Sequence, residues 1–443
     1  MSMGNPLRPV VPHLTTAPAG PRLEIEPLLL KRQVGIEQWF RGHWQRLPPP
    51  FYASVDLRNA GFKLAPVDTN LFPAGFNNLN PAFLPLCVQA VQAMIEKLYP
   101  AACGVLVVAE SHTRNVFYFE SLAVLTEILA RAGLRVRVGS LLPDLHAPRT
   151  MTLPSGRALT LEPITRAGDK VRVGDFTPDF VLLNNDLSAG RPPILEDLAQ
   201  PVTPPLALGW SNRLKSDHFA HYHVVAAEFA ELIGVDPWRI DPVFRRCGKI
   251  DFHTGAGADC LATNVQEVLD AVRAKYREHG IGAQPFAFVK ADAGTYGMAI
   301  MAVKDARAVR ELNRKQRVKM AHGKEGHAVT DIIVQEGIYT FETWGPANAV
   351  AEPVVYLIGS SVVGGCYRVH TKRGPDENLN APGMHFEPLA FAEPCLPDPK
   401  QEPGASPNRF YAYGVIARLA LLAAARELKA VTSDKIQDTS QRT

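Results

Sequence analysis

Apolar and polar positions change rhythm several times along the chain, and each change predicts an element. PRLEIEPLLLKRQVGIEQWFRGHWQRL carries apolar residues at helical spacing and is stopped by the prolines at 48–50, so it predicts one helix. FYASVDLRN and GFKLAPVDTN read as two strands joined near Ala60–Gly61, and PAFLPLCVQAVQAMIEKLY returns to the helical period. At GVLVVAE the pattern becomes a short continuous apolar run. A polar loop follows, then a helix (VFYFESLAVLTEILARAG) and a second strand (LRVRVGSL). That succession is a βαβ unit and argues for a parallel α/β sheet. DFVLLNNDLS repeats the strand and polar loop, and ligands of open α/β sheets bind at such strand ends.

Downstream, SDHFAHYHVVAAEFAELIG predicts a helix with Ser216 as its N-cap, and NVQEVLDAVRAKYREHG predicts another. FVKADAGTYGMAI and DIIVQEGI read as strands, and EPVVYLIGSSVVGGCYRVHT reads as a hairpin turning at Gly359. The polar loop KRGPDENLNAPG and a final helix, FYAYGVIARLALLAAAREL, complete the pattern. Residues 1–22, rich in Pro, Ala and Thr, and the C-terminal SDKIQDTSQRT are expected to be loose tails.

Composition narrows the function classes. The chain has 443 residues, 46% hydrophobic and 21% charged, as in an ordinary globular protein of two or three domains. A net charge of +3 gives no footing for nucleic acid or an anionic membrane. The longest apolar run, VIARLALLAAARELKAV, is too short and too charged to span a bilayer, and the N-terminus has no apolar signal core. Six cysteines lie scattered without CxxC pairs, so neither a disulfide framework nor a zinc site is implied and a reducing cytoplasm fits.

Candidate chemistry gathers in the second half. Lys290 ends a strand just before Gly294, Thr295, Tyr296 and Gly297. The stretch suits a β-hairpin, or a glycine loop whose N–H groups cradle phosphate beside a cation. It is neither a P-loop nor a dinucleotide fingerprint. IIVQEGI ends in Gln335 and Glu336, Arg368 lies on the returning hairpin strand, and Asn380 lies in the polar loop. Near the N-terminus, residues 53–79 read as strand, turn, strand and then D-x-N-x-x-P-x-G. Asp68 and Asn70 share one face of their strand, with Asp56 expected opposite, and hard oxygens on one face suit Mg²⁺. His218, His221 and His223 do not share a helical face, so they read as packed or solvated.

The lysine strand, glycine loop, Gln-Glu strand, arginine hairpin and asparagine loop follow one another in an order that resembles the ATP-grasp ligases of the glutathione-synthetase branch. The match extends over residues 25–430. VDLRNAGFKLAPVDTNLFPAGFNNLN, SHTRNVFYFES, GWSNRLKSDHF, FVKADAGTYGMAIM and YRVHTKRGPDENLNAPG are similar to a small bacterial family of glutamate–cysteine ligases. The resemblance implies an α/β ATP-grasp fold with a preceding Rossmann-like α/β domain. The Rossmann-like part would be 101–215 and the grasp domain 216–430. Because the family's metal segment follows its final helix, and here lies at the N-terminus, it also implies a circular permutation in which 23–100 completes the grasp domain.

The resemblance further implies roles. Lys290 would meet the α/β-phosphates, residues 294–297 would close over the β/γ-phosphates, and Gln335 and Glu336 would meet adenine and ribose. Lys249 is the preferred earlier phosphate lysine, with Lys215 the alternative. Asp56, Asp68 and Asn70 would hold Mg²⁺, and Arg368 and Asn380 would sit beside the acyl phosphate. Arg58, Arg114, Arg213 and, less strongly, Asn115 would receive the substrates. The implied substrates are ATP, glutamate and cysteine, joined through γ-glutamyl phosphate. The alternatives are glutathione synthetase proper or another carboxylate–amine ligase, and less readily a non-catalytic nucleotide-binding protein. No GxGxxG follows GVLVVAE, which disfavours an NAD-dependent oxidoreductase.

Overall fold

The computed structural model describes residues 24–111, 115–294, 299–321, 329–389 and 409–440. The first expected helix is two: α1 (Glu26–Lys31) and α2 (Gln33–Arg46) meet at Arg32, whose backbone leaves the helical region at φ −98°, ψ 6°. Leu29, Ile36 and Phe40 carry one buried apolar stripe across the break. The two expected strands are β1 (Tyr52–Asn59) and β2 (Leu64–Asn70), followed by α3 (Leu84–Leu98).

The βαβ unit is β3 (Gly104–Val108), α4 (Val116–Arg131) and β4 (Arg135–Ser140). β5 (Arg149–Thr152), β6 (Ala158–Pro163), a small hairpin of β7 (Thr165–Ala167) and β8 (Lys170–Arg172), β9 (Phe180–Leu183) and β10 (Val202–Thr203) follow. The sheet order is β10-β9-β3-β4-β6-β5, parallel except for β5. β3 and β9 are buried at every position, the reason their sequences read as unbroken apolar runs.

α5 (Lys215–Ile233), β11 (Phe244–Lys249), α6 (Ala258–Glu278), β12 (Ala287–Ala291), β13 (Ile300–Val303), α7 (Arg314–Ala321) and β14 (Asp331–Glu336) come next. Four of these strands form an antiparallel sheet, β11-β14-β12-β13. α6 packs on one face of it, over Cys247, Val289 and Val334. Ser216 does not cap α5. Its N–H and Oγ donate to the Asp292 carboxylate at 2.7 and 2.6 Å, so the start of this helix is tied to the segment just past Lys290.

The last elements are β15 (Glu342–Trp344), β16 (Ala349–Ile358), β17 (Ser361–His370), β18 (His385–Pro388) and α8 (Arg409–Ser440). They make a second antiparallel sheet, β18-β17-β16-β1-β2, with β15 also on β16. The N-terminal hairpin thus completes a C-terminal sheet, with Asp56 opposite Val354, as a permuted order requires. The Tyr411–Ala425 part of α8 is apolar nearly all round and is buried at nearly every position against α5, β1, β2 and β16. Its helix runs to Ser440, where a loose tail from Ser433 was expected. Among the described residues, no helix is long and apolar enough to cross a membrane.

Candidate active site

The β1–β2 hairpin sets two carboxylates face to face. Asp56 pairs with Asp68, but Leu57 pairs with Pro66, so Val67 is an extra residue bulged from β2. A bulged residue leaves a carbonyl without a ladder partner. The Val67 carbonyl accepts from Lys290 Nζ at 2.8 Å. The same Nζ donates to Gln335 Oε1 at 2.6 Å. Lys290 on β12 and Gln335 on β14 point from the small sheet toward the hairpin, so the two antiparallel sheets meet here across a cleft.

Like charges opposite one another on a ladder repel. Here cations separate them. Lys215, the first residue of α5, reaches Asp68 Oδ1 at 2.8 Å, and Arg368 on β17 reaches Asp56 Oδ2 at 2.9 Å. Arg368 also bonds Glu352, its directly opposed partner on β16, at 2.5 Å. Glu352 in turn takes the Nε of Arg58 at 2.9 Å. Burial alone would raise Asp68, yet Lys215 and Lys290 pull its carboxyl down to about 2. Burial is the largest influence on Lys290 and takes its ammonium down to about 8, against the pull of Asp68. Burial raises Asp56, opposed by Arg368 and reinforced by Glu352 and Asp68.

Two cavities open from this cluster. One lies between the sheets and is lined by Lys215, Phe288, Lys290, Gly294, Gln335 and Asn378 among others. The other is roomier, about 550 Å³ against about 100 Å³. It reaches the C-terminal edge of the parallel sheet, where Glu110 follows β3 and Asn184 and Asp186 follow β9. Asp56, Asp68, Arg368 and Asn380 line both. A polyanion in the first cavity and a small zwitterion in the second would meet at these four side chains.

A family model described as glutamate–cysteine ligase matches residues 26–428. The chain belongs to the glutamate–cysteine ligase family. A solved structure from Methylobacillus flagellatus KT, described provisionally as a gamma-glutamylcysteine synthetase, shares 56% identity at TM-score 0.86, covering 95% of this chain and 99% of that one. A glutathione synthetase-like effector from Globodera pallida follows at 11% identity and TM-score 0.30, with 79% of this chain and 76% of that one covered. D-alanyl-alanine synthetase A from Vibrio cholerae matches at 9% and 0.32, covering 71% and 80%. No curated protein matches.

Within this ligase, not every residue singled out from the sequence reaches the cluster. Lys249 is exposed at the end of β11, opposite Asp331, and lines neither cavity; Lys215 stands in the cleft instead. Glu336 is buried in a knot of its own, accepting from Lys63 Nζ at 2.7 Å, Trp238 Nε1 at 3.1 Å and the Val243 N–H at 2.9 Å. Neighbouring strand residues alternate faces, so Gln335 enters the cleft and Glu336 does not. Arg213 is also sealed away: Nε and Nη2 bond Glu427 at 2.7 and 3.1 Å, and Nη1 donates to the Thr69 carbonyl at 2.6 Å. Arg58 lines the first cavity, although Glu352 and the carbonyls of Ile338 and Glu377 hold its guanidinium. Asn70 lines the second cavity while its Oδ1 accepts the Phe72 N–H at 3.0 Å. Asn115 lines it too and caps α4 through the Tyr118 N–H. Arg114, Thr295, Tyr296 and Gly297 lie outside the described residues. His218 bonds Glu427 and His223 bonds Asp241, so they do not share a metal site.

Sequence reading missed Glu352, Glu110 and Asp186, which line the two cavities. Glu352 had a signal, being the lone acid in the apolar run AVAEPVVYLI. Glu110 and Asp186 stand where the loops at the strand ends pointed, without any residue being chosen.

Proposed function

We propose that this ligase joins glutamate to cysteine through γ-glutamyl phosphate, with ATP as the phosphoryl donor in an ATP-grasp arrangement. The observation that carries the reading is the meeting of the two cavities at Asp56, Asp68, Arg368 and Asn380. ATP would lie between the antiparallel sheets, its phosphates toward Lys290 and Lys215, which takes the place first given to Lys249. Glutamate would lie in the second cavity with its γ-carboxylate at the junction.

In the first step a γ-carboxylate oxygen attacks the γ-phosphorus, the bond to the bridging β,γ-oxygen breaks, and ADP leaves. In the second, the α-amine of cysteine attacks the acyl carbon. Phosphate departs with the oxygen that attacked, and the amine loses its proton. Negative charge grows on phosphoryl oxygens in the first step and on the acyl oxygen in the second. Lys290, Lys215 and Arg368 are fixed in place by Gln335, Asp68 and Glu352, so they can stabilise that charge with little reorganisation. Proximity supplies much of the rest.

The hard carboxylates of Asp56 and Asp68, both on the junction, fit Mg²⁺. Asn70 fits less well, its oxygen being held by the turn at Phe72. Among the described residues the cleft acids are not gathered into a three-ligand cluster; the one such group is Asp236, Glu278 and His279, far along the chain from the cleft acids and bridged by Lys275. Two carboxylates plus substrate phosphates is the usual protein share of a Mg²⁺ site, and the bound ion would neutralise phosphate charge.

The test uses glutamate labelled with ¹⁸O in its γ-carboxylate. Acyl phosphate formation requires one labelled oxygen in the released phosphate. Phosphate free of label during peptide formation would contradict the reading.

A further inference from the structure

Two of the six cysteines sit together on the side of the small sheet away from the cleft. Cys247 on β11 is buried in the core beneath α6, and Cys260 in the first turn of α6 is exposed. Their sulfurs are 3.8 Å apart. Asn264, one turn further along α6, directs Nδ2 at both, 3.4 Å from Cys247 and 3.5 Å from Cys260. Core packing accounts for the buried thiol. It does not account for an exposed thiol placed in van der Waals contact with it.

We infer that Cys247 and Cys260 form a reversible disulfide by exchange with a low-molecular-weight disulfide. The exposed member reacts first. The Cys260 thiolate attacks one sulfur of the reagent, the reagent's S–S bond breaks, and one small thiol leaves carrying a proton from solvent. The Cys247 sulfur, having given up its proton, attacks the Cys260 sulfur of this mixed disulfide, and the second small thiol leaves. Two protein thiols lose two electrons and the reagent gains them. Exposure fixes the order. Burial, with Cys260 beside it, pushes the Cys247 thiol up to about 11, which lowers its thiolate fraction for the second step.

Closure requires the sulfurs to move from contact to bonding distance, about 2 Å. Cys260 is at a helix start and on the surface, where its side chain can turn. The bond would staple β11 to α6 across the 250–257 connector, behind the face that carries Lys290 and Gln335. In a reducing compartment such a pair serves as a transient, redox-sensing bond rather than a permanent one. The inference is independent of the ligase reading, because neither cysteine lines the cleft.

The experiment incubates the reduced full chain with cystine, blocks remaining thiols and locates cross-links by peptide mass spectrometry. The expected result is a Cys247–Cys260 link that dithiothreitol reverses. Cys260→Ser should show no link at Cys247, and Cys247→Ser should stop at a mixed disulfide on Cys260. A wild-type chain that keeps cysteine in mixed disulfide with Cys260 while Cys247 stays free, or that leaves Cys260 unmodified, would overturn the inference.

Discussion

Lys290 holds its charge at a cost. It is 6% exposed, and burial brings its ammonium to about 8, so it is charged at neutral pH and loses the charge as pH rises past 8. The sign for stability is opposite to the sign for function. The folded value lies below the unfolded one, so the penalty for the buried cation is full below pH 8 and is relieved between 8 and 10.5. On the proposed reading phosphate binding needs this cation and weakens over the same range. The affinity for a non-hydrolysable ATP analogue should therefore fall above pH 8, approaching roughly tenfold per pH unit. Lys290→Arg should be flat to pH 10, because arginine does not titrate there. Equal slopes in both proteins, measured by calorimetry, would remove Lys290 from the phosphate site. This lysine was legible because a strand, a cation and a glycine loop adjoin in sequence. The choice between Lys215 and Lys249 was not legible. It turns on Asp292 docking the start of α5 beside the hairpin, while the end of β11 faces solvent.

Elements were read well where packing repeats locally and badly where it does not. The βαβ unit, the β16–β17 hairpin and α8 stand where periodicity placed them. The break at Arg32 and the capping of α5 by Asp292 depend on contacts made from elsewhere. The clamp between α8 and β2 is of that kind. Glu427 on α8 holds Arg213, and Arg213 holds the carbonyl of Thr69, the residue between Asp68 and Asn70. Both charges are almost fully buried, and the two guanidinium bonds and His218 hold the Glu427 carboxyl well below the usual range against burial. Removing one member leaves the other charge buried alone. Glu427→Ala should cost about 3–5 kcal/mol in urea unfolding. A loss below about 1 kcal/mol, the range of an exposed ion pair, would show that the clamp is not formed.

At the scale of the whole molecule, the site exists because distant segments pair. β1 adds to β16, which brings Asp56 beside Arg368, and the small sheet faces that hairpin through Lys290 and Val67. The order of motifs made this pairing legible in outline. Their register was not, because it depends on which residue bulges: Val67 in β2 sets Asp56 against Asp68, and Glu352 enters the site only through its position opposite Arg368. Which two amino acids meet at the junction is read from ADP release by the purified chain with Mg²⁺-ATP, comparing glutamate plus cysteine with γ-glutamylcysteine plus glycine. ADP release is expected with the first pair and little with the second. Turnover confined to the second pair would overturn the glutamate–cysteine assignment.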